Sequence, residues 1–419
     1  MDSLADVFNN LKDLFGHHVV FGTGILLLSG YFLGKLAEKV KLPAITGYIL
    51  AGLLLSKSMI SIIPETAPYK LNSITEIALG MIAITIGAEF EFSRIKQIGR
   101  SVLVMTIFEG VFAYIFVTGF FILIGMKARY AFLLGAIAPA TAPAATVVIL
   151  RESKARGQFV DILYGIVALD DALCIILFSI TFALVGPVIT GQLVPGTHGF
   201  FHGLFMALEE IGLSVLLGLI SGFSMFKLTR RRYKLNEILI ISIGIIFIST
   251  SVAIMGGLSH LIVNMVAGAV LVNTSSKNKR VFKVIEPLTP PLFALFFVLA
   301  GTELELGVIT NGIVVVYGLV YIVSRSTGKY MGIYSSAILC KMSVRIRKYL
   351  GFCLFPQAGV AIGLVLFVQT SPLFAGVSAE IREILVLIVN IVLFSILINE
   401  LIGAPISRFG ISKGADFEK

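Results

Sequence analysis

Charge is scarce in this chain. Only 14% of its 419 residues are Asp, Glu, Lys or Arg, against 57% hydrophobic, and the mean hydropathy is +0.98. A soluble domain carries about 25% charged residues, so the composition excludes a soluble enzyme or a soluble binding module. Cysteine is sparse as well: Cys174, Cys340 and Cys353 stand apart in or beside apolar stretches. They have neither the spacing of a metal site nor the even count of a disulfide framework. No stretch is left over for a soluble domain. The first 16 residues lack the basic start and small-residue cleavage site of a secretory signal. Instead Leu4, Val7, Phe8, Leu11, Leu14 and Phe15 follow helical spacing, which predicts an amphipathic helix over residues 1–17 lying on a membrane. The formal net charge of +9 does not imply nucleic acid, because the basic residues sort by position along the chain.

What the chain has in abundance is apolar runs long enough to cross about 30 Å of hydrocarbon. Breaks at Gly, Pro and charge divide them into segments near 18–38, 42–62, 72–90, 101–125, 130–150, 159–186, 203–227, 236–255, 257–273, 286–302, 307–339, 349–369 and 381–406, lettered a to m. The reading is an all-α polytopic membrane protein with thirteen transmembrane helices. Lys and Arg test that count, since they collect on the cytoplasmic side. Alternate loops and the C-terminus hold 25 of them, and the opposite side holds six: Lys12, Lys57, Lys70, Lys127, Arg129 and Arg382. The N-terminus is therefore expected outside and the C-terminus in the cytoplasm. Arg325 and Lys329, the remaining two, lie inside segment k.

The chain also repeats itself. YILAGLLL (48–55) recurs as NMVAGAVL (264–271), GAEFEF (87–92) recurs as GTELEL (301–306), and proline breaks follow at Pro143 and Pro356, at offsets of 216, 214 and 213 residues. Segments a to f thus match h to m. Seven segments separate the two starts, an odd number, so the six-helix halves are expected in inverted orientation. Inverted repeats with interrupted helices at matching positions point to a transport site near the midplane.

The interrupted pair is AIAPATAPAATVVIL (136–150), with Pro139 and Pro143, and FCLFPQAGVAIGLVLF (352–367), with Pro356 and Gly359. Each proline removes a backbone donor and clashes with the carbonyl four residues back. Irregular backbone at that depth survives only buried in protein or lining a cavity. The freed carbonyls can coordinate a small cation, and the hydroxyls of Thr141 and Thr146 can add oxygens. Two ordinary proline kinks are the bland alternative, weakened by their symmetric placement.

Charged residues converge on the same depth. Each Leu, Ile, Val or Phe of segment f contributes about −0.3 to −0.6 kcal/mol to insertion, against about 2.5 to 3.5 for each central aspartate, so Asp170 and Asp171 roughly offset it. Ionisable groups at that depth default to function. Adjacent carboxylates repel when both are ionised and titrate as a coupled pair. Such a pair holds either protons or a cation. Segment k supplies Arg325 and Lys329 on one helix face, and segment d supplies Glu109. The repeat offset carries Glu109 to about 323, which predicts a Glu109–Arg325 ion pair and leaves Lys329 facing Asp170. An intramembrane aspartyl protease needs two aspartates converging from different helices, whereas these two diverge by about 100° on one.

These residues together resemble the monovalent cation:proton antiporter superfamily, in the branch containing Kef-type and bacterial sodium/proton antiporters. LPAITGYILAGLLL (42–55) resembles its second helix, ITEIALGMIAITIGAEFEFSRIKQIGR (74–100) its third, and PAATVVILRESKARG (143–157) the end of its unwound helix. Asp-Asp matches at Asp170 and Asp171, and G-K-x-x-G at Gly328, Lys329 and Gly332. The resemblance implies crossed, unwound helices and no cofactor beyond the transported Na⁺ (or K⁺ or Li⁺) and protons. It implies Asp171 as the carboxylate that binds Na⁺ or H⁺, Asp170 as its partner, and Lys329 as the base released when the cation enters. It implies a core formed by 101–186 and 307–406, and a dimerising panel formed by 18–100 and 236–306. Residues 203–227 would be a linker and 407–419 a short cytoplasmic tail. A homodimer in the bacterial inner membrane and electrogenic Na⁺/H⁺ exchange follow from the same resemblance. The alternative is a K⁺/H⁺ antiporter or a Kef-like K⁺ efflux protein without its regulatory domain.

Overall fold

The computed structural model describes residues 19–40, 44–56, 67–93, 99–142, 155–191, 197–230, 234–274, 279–302, 312–357, 359–371 and 377–417, with positions 59, 146, 150 and 374. The expected amphipathic helix over 1–17 and Pro143 lie outside the described residues. In chain order the helices are α1 (Val19–Lys39), α2 (Ala44–Leu55), α3 (Ala67–Glu89), α4 (Arg100–Leu123), α5 (Ala128–Ile137), α6 (Gln158–Ile189) and α7 (Thr197–Thr229). There follow α8 (Leu235–Met255), α9 (His260–Thr274), α10 (Lys279–Ile285), α11 (Thr289–Thr302), α12 (Gly312–Leu339), α13 (Val344–Tyr349), α14 (Gly359–Thr370) and α15 (Ala379–Gly414). The helices fall on the apolar segments in order. Among the described residues seven helical stretches are long and apolar enough to cross a membrane, and the protein is a multi-pass membrane protein. Helix α12 is 28 residues long yet stands outside the seven, because its serines, Arg325 and Lys329 lower its hydropathy.

Three boundaries differ from the sequence reading. Within segment e the helix α5 ends at Ile137, and Pro139 to Ala142 lie past the helix end. Segment l is split: a 3₁₀ turn over Leu350–Leu354 ends in the non-helical stretch Phe355–Gln357, and α14 starts at Gly359. Segment m does not stop at 406. Helix α15 runs through Pro405 to Gly414, its end held in the buried cluster that Ile411 and Ala415 share with Val102, Leu150 and Phe159. The tail beyond it is no loose end: Asp416–Phe417 (β2) pairs antiparallel with Ala155–Arg156 (β1), and Arg345 holds Asp416 at 3.0 Å.

Glycine sets how closely the first and second halves of the chain approach. A Cβ on Gly52 of α2 would collide with the carbonyl of Val298 and with Gly301 of α11, and one on Gly301 would strike the carbonyl of Ile49. Likewise Gly87 of α3 rests on the carbonyl of Met265 and on Gly268 of α9, and Gly268 on the carbonyl of Ile84. These are the glycines of the four repeat motifs. At the offsets of 216 and 214 residues, Gly52 corresponds to Gly268 and Gly87 to Gly301. Each therefore packs against the counterpart of the other. Small residues at such crossings let two backbones touch where lipid offers no hydrophobic drive to associate.

Because these contacts are to backbone, which cannot rotate away, Gly87→Leu and Gly301→Leu are each expected to destabilise by about 1–3 kcal/mol or more. Gly119→Ala and Gly244→Ala, which have nothing within 4 Å of the new Cβ, are expected to stay within about 0.5 kcal/mol of the parent. The melting midpoint of the detergent-solubilised protein distinguishes the two pairs.

Candidate functional site

Among the described residues helices α4 and α12 form the most extensive helix pair, and the G-K-x-x-G spacing explains it. A Cβ on Gly328 would lie 2.7 Å from the Phe112 carbonyl, and one on Gly332 would lie 2.7 Å from Cα of Glu109. The backbones touch, and Lys329 is carried against Glu109. Both residues are fully buried, as are Arg325 and Asp170.

The ammonium of Lys329 is an ion-pair partner of Glu109. It donates to the Pro139 carbonyl at 2.5 Å and to Thr141 Oγ1 at 2.7 Å, and it stands 3.4 Å from Asp170 Oδ2. The Thr141 hydroxyl in turn donates to Asp170 Oδ2. An ammonium has three donor hydrogens, and these acceptors use them. Asp171, one residue further along α6, is only half-buried. The step of about 100° per residue turns it away from the Lys329 face that Asp170 occupies.

Arg325 behaves differently. Its Nε donates to the Ala138 carbonyl at 2.8 Å and Nη2 to that of Ala140 at 2.6 Å, while Nη1 donates to Phe355 O at 2.7 Å and Nη2 also reaches Pro356 O at 3.5 Å. One guanidinium thus serves the helix end of α5 and the break before α14 together. The breaks also bond directly, Ala142 N to Pro356 O at 3.0 Å and Thr146 Oγ1 to Cys353 O at 2.9 Å. Unsatisfied carbonyls in hydrocarbon cost several kcal/mol each. The planar five-donor fork of arginine fits this set where a lysine would not.

Two expectations need correction. The ion pair of Glu109 is with Lys329, not Arg325, because the glycine contact sets Lys329 at the level of Glu109 while Arg325, one turn away, is taken up by backbone oxygens. The second concerns the break carbonyls, expected to be free: those of Ala138, Ala140, Phe355 and Pro356 each accept from Arg325. Thr146 belongs with this bracing, its hydroxyl being spent on Cys353. Thr141, Asp170, Lys329 and Glu109 do come together. Gly359 opens α14, and Pro139 contributes its carbonyl to Lys329 rather than only a kink. Sequence reasoning passed over Gln357, whose Nε2 donates to Ile137 O at 3.3 Å and to the Tyr321 hydroxyl at 3.2 Å. An amide directly after Pro356 in an apolar run was the available signal.

A run of 385 positions bears on what this arrangement belongs to: residues 24–408 match the family model described as the transmembrane part of the sodium/hydrogen exchanger. The chain belongs to that family. As a member it is a membrane transporter and not an enzyme. It is 22% identical over 411 residues to the high-affinity Na⁺/H⁺ antiporter NhaS3 of Synechocystis sp., covering 86% of this chain and 84% of that protein. It is 24% identical over 320 residues to a glutathione-regulated potassium-efflux system protein of Haemophilus influenzae, covering 73% of this chain but 49% of that protein. The solved structure of the sodium proton antiporter MjNhaP1 from Methanocaldococcus jannaschii superposes with a TM-score of 0.75 at 18% identity, over 94% of this chain and 98% of the other, which shows the shared fold.

Removing the base from a buried ion pair strands its acids. Lys329→Gln is expected to destabilise by about 3–5 kcal/mol, and adding Glu109→Gln to recover at least half of that loss. A double-mutant cycle on thermal midpoints reads the coupling; simple additivity would show that the two side chains do not meet.

Proposed function

We propose that the chain is a secondary active Na⁺/H⁺ antiporter in which Asp171 takes either Na⁺ or a proton and Asp170 assists it. The observation that carries this reading is the charge count of the cluster among the described residues. There Glu109, Asp170 and Asp171 oppose Lys329 and Arg325, three acids against two bases, so full ionisation leaves one negative charge in this set at mid-membrane. That charge is stable only with one added cation or one added proton. Asp171 is the acid turned from Lys329 and the least enclosed of the three, so the exchangeable charge is assigned to it. Asp170 is tied to Lys329 and Thr141 and passes to the cation only when Lys329 releases it.

On this reading the chain crosses the membrane thirteen times with its N-terminus outside and its C-terminus in the cytoplasm, as two inverted six-helix repeats. The exchanged packing of Gly52 on Gly301 and Gly87 on Gly268 supports the pseudo-twofold relation. The core, residues 101–186 and 307–406, moves against the panel, residues 18–100 and 236–306, with 203–227 as the link. Two copies join through their panels in the bacterial plasma membrane. Exchange is electrogenic if Lys329 surrenders its proton when Asp170 turns to the cation; its pairing with Glu109 works against that release. The potassium-efflux relative keeps a second reading in view, K⁺/H⁺ exchange.

Purified protein in liposomes with an internal pH dye, pulsed with Na⁺, Li⁺ or K⁺ under clamped voltage, tests the proposal. Proton flux driven by Na⁺ and not K⁺ is expected, and Asp171→Asn abolishes it. Flux with K⁺ alone selects the second reading, and no flux with any cation removes both. Normal turnover in Asp171→Asn would show the wrong carboxylate has been assigned. A flux that leaves the membrane current unchanged would mean that Lys329 keeps its proton throughout.

A further inference from the structure

Away from the charged cluster, two cavities lie on the outer face of the pair α12 and α15. One, of about 390 Å³, runs between Ile322 and Val323 of α12 and Ile398, Ile402 and Ile406 of α15, floored by Phe355. The other, of about 600 Å³, is bounded by Tyr334, Lys348, Tyr349 and Phe409. Tyr330, Met331 and Phe352 line both, so the two form one continuous groove. Its character changes along its length. The deep part is mostly aliphatic and aromatic, with Ser326, Thr327 and Asn399 the polar members of its lining. The outer part ends in two tyrosine rings and an ammonium, beside the basic stretch of α13. Arg345 of that stretch is engaged with Asp416, whereas Lys348 is exposed and forms no ion pair among the described residues.

The dimensions select the occupant. From Phe409 to Ile398 is eleven residues of helix, about 16 Å at 1.5 Å each, close to half of the roughly 30 Å hydrocarbon thickness. The groove is one leaflet deep. Tyrosine gathers where hydrocarbon meets headgroups, and basic pockets at that level hold anionic headgroups. We propose that this groove binds one anionic phospholipid, an acyl chain lying along Ile322 and Ile402 and the phosphate at Lys348. The chain end would rest against Phe355, whose carbonyl Arg325 clamps, so the lipid buttresses the break from its membrane side. Met331, Tyr334, Ile402 and Phe409 are exposed large side chains, and a lipid here covers them.

The test is the thermal midpoint of the full chain in detergent, titrated with phosphatidylglycerol, with phosphatidylcholine of the same acyl chains, and with soluble glycerol phosphate. The parent is expected to gain several degrees with phosphatidylglycerol and less than half that gain with phosphatidylcholine. Lys348→Gln should make the two lipids equivalent. Ile402→Trp, which fills the groove from an exposed position, should abolish both gains without lowering the lipid-free midpoint. Equal gains from both lipids in the parent, a phosphatidylglycerol gain that survives both substitutions, or the same rise with glycerol phosphate alone would each overturn the proposal.

Discussion

Open backbone is the one thing a bilayer interior does not forgive, and the whole centre of this protein is arranged around closing it. Two helices end near the middle of the fold and face each other through their breaks. The carbonyls they release are gathered by Arg325, by the Ala142 amide and by the Thr146 hydroxyl. Burying a guanidinium is itself costly, and an arginine at that depth is tolerated because its donors are consumed by oxygens that would otherwise be stranded. The two defects cancel. Once Arg325 is committed there, Lys329, one turn along, is the base left for the acids, and the division of labour between them follows.

That division was only half legible in the sequence. The long apolar helices were readable, because apolar length and proline are local signals that tertiary packing does not override in a membrane. The breaks at Pro139 and Pro356 were readable for the same reason. The contact between Lys329 and Asp170 was anticipated as well. What failed was the partner of Glu109. The repeat offset located it near 323 and suggested Arg325, but offset arithmetic gives equivalence under a symmetry, and equivalent positions need not touch. The deciding fact, a glycine at 332 laying α12 onto Cα of Glu109, is a distance between backbones with no signature beyond small residues four apart. Carbonyl acceptors escaped for a related reason: every residue has one, and composition cannot show which of them is unsatisfied.

The same glycines show how a weak sequence signal becomes a strong structural one. Gly52, Gly87, Gly268 and Gly301 stand in motifs that resemble ordinary small-residue packing, and any one alone would mean little. In the fold they meet as two pairs, each joining the first half of the chain to the second. Their contacts hold α2 to α11 and α3 to α9 without any charge. The buried ion pairs among the described residues lie elsewhere, where α12 meets α4 and α6.

The short ladder between Ala155–Arg156 and Asp416–Phe417 joins the two ends of a long mechanical train. One end opens into the helix that carries the paired aspartates; the other closes the helix that lies over the second break, where Gly403 sits against Pro356. The end of α15 and the start of α6 are thereby fastened to each other by backbone as well as by side chains.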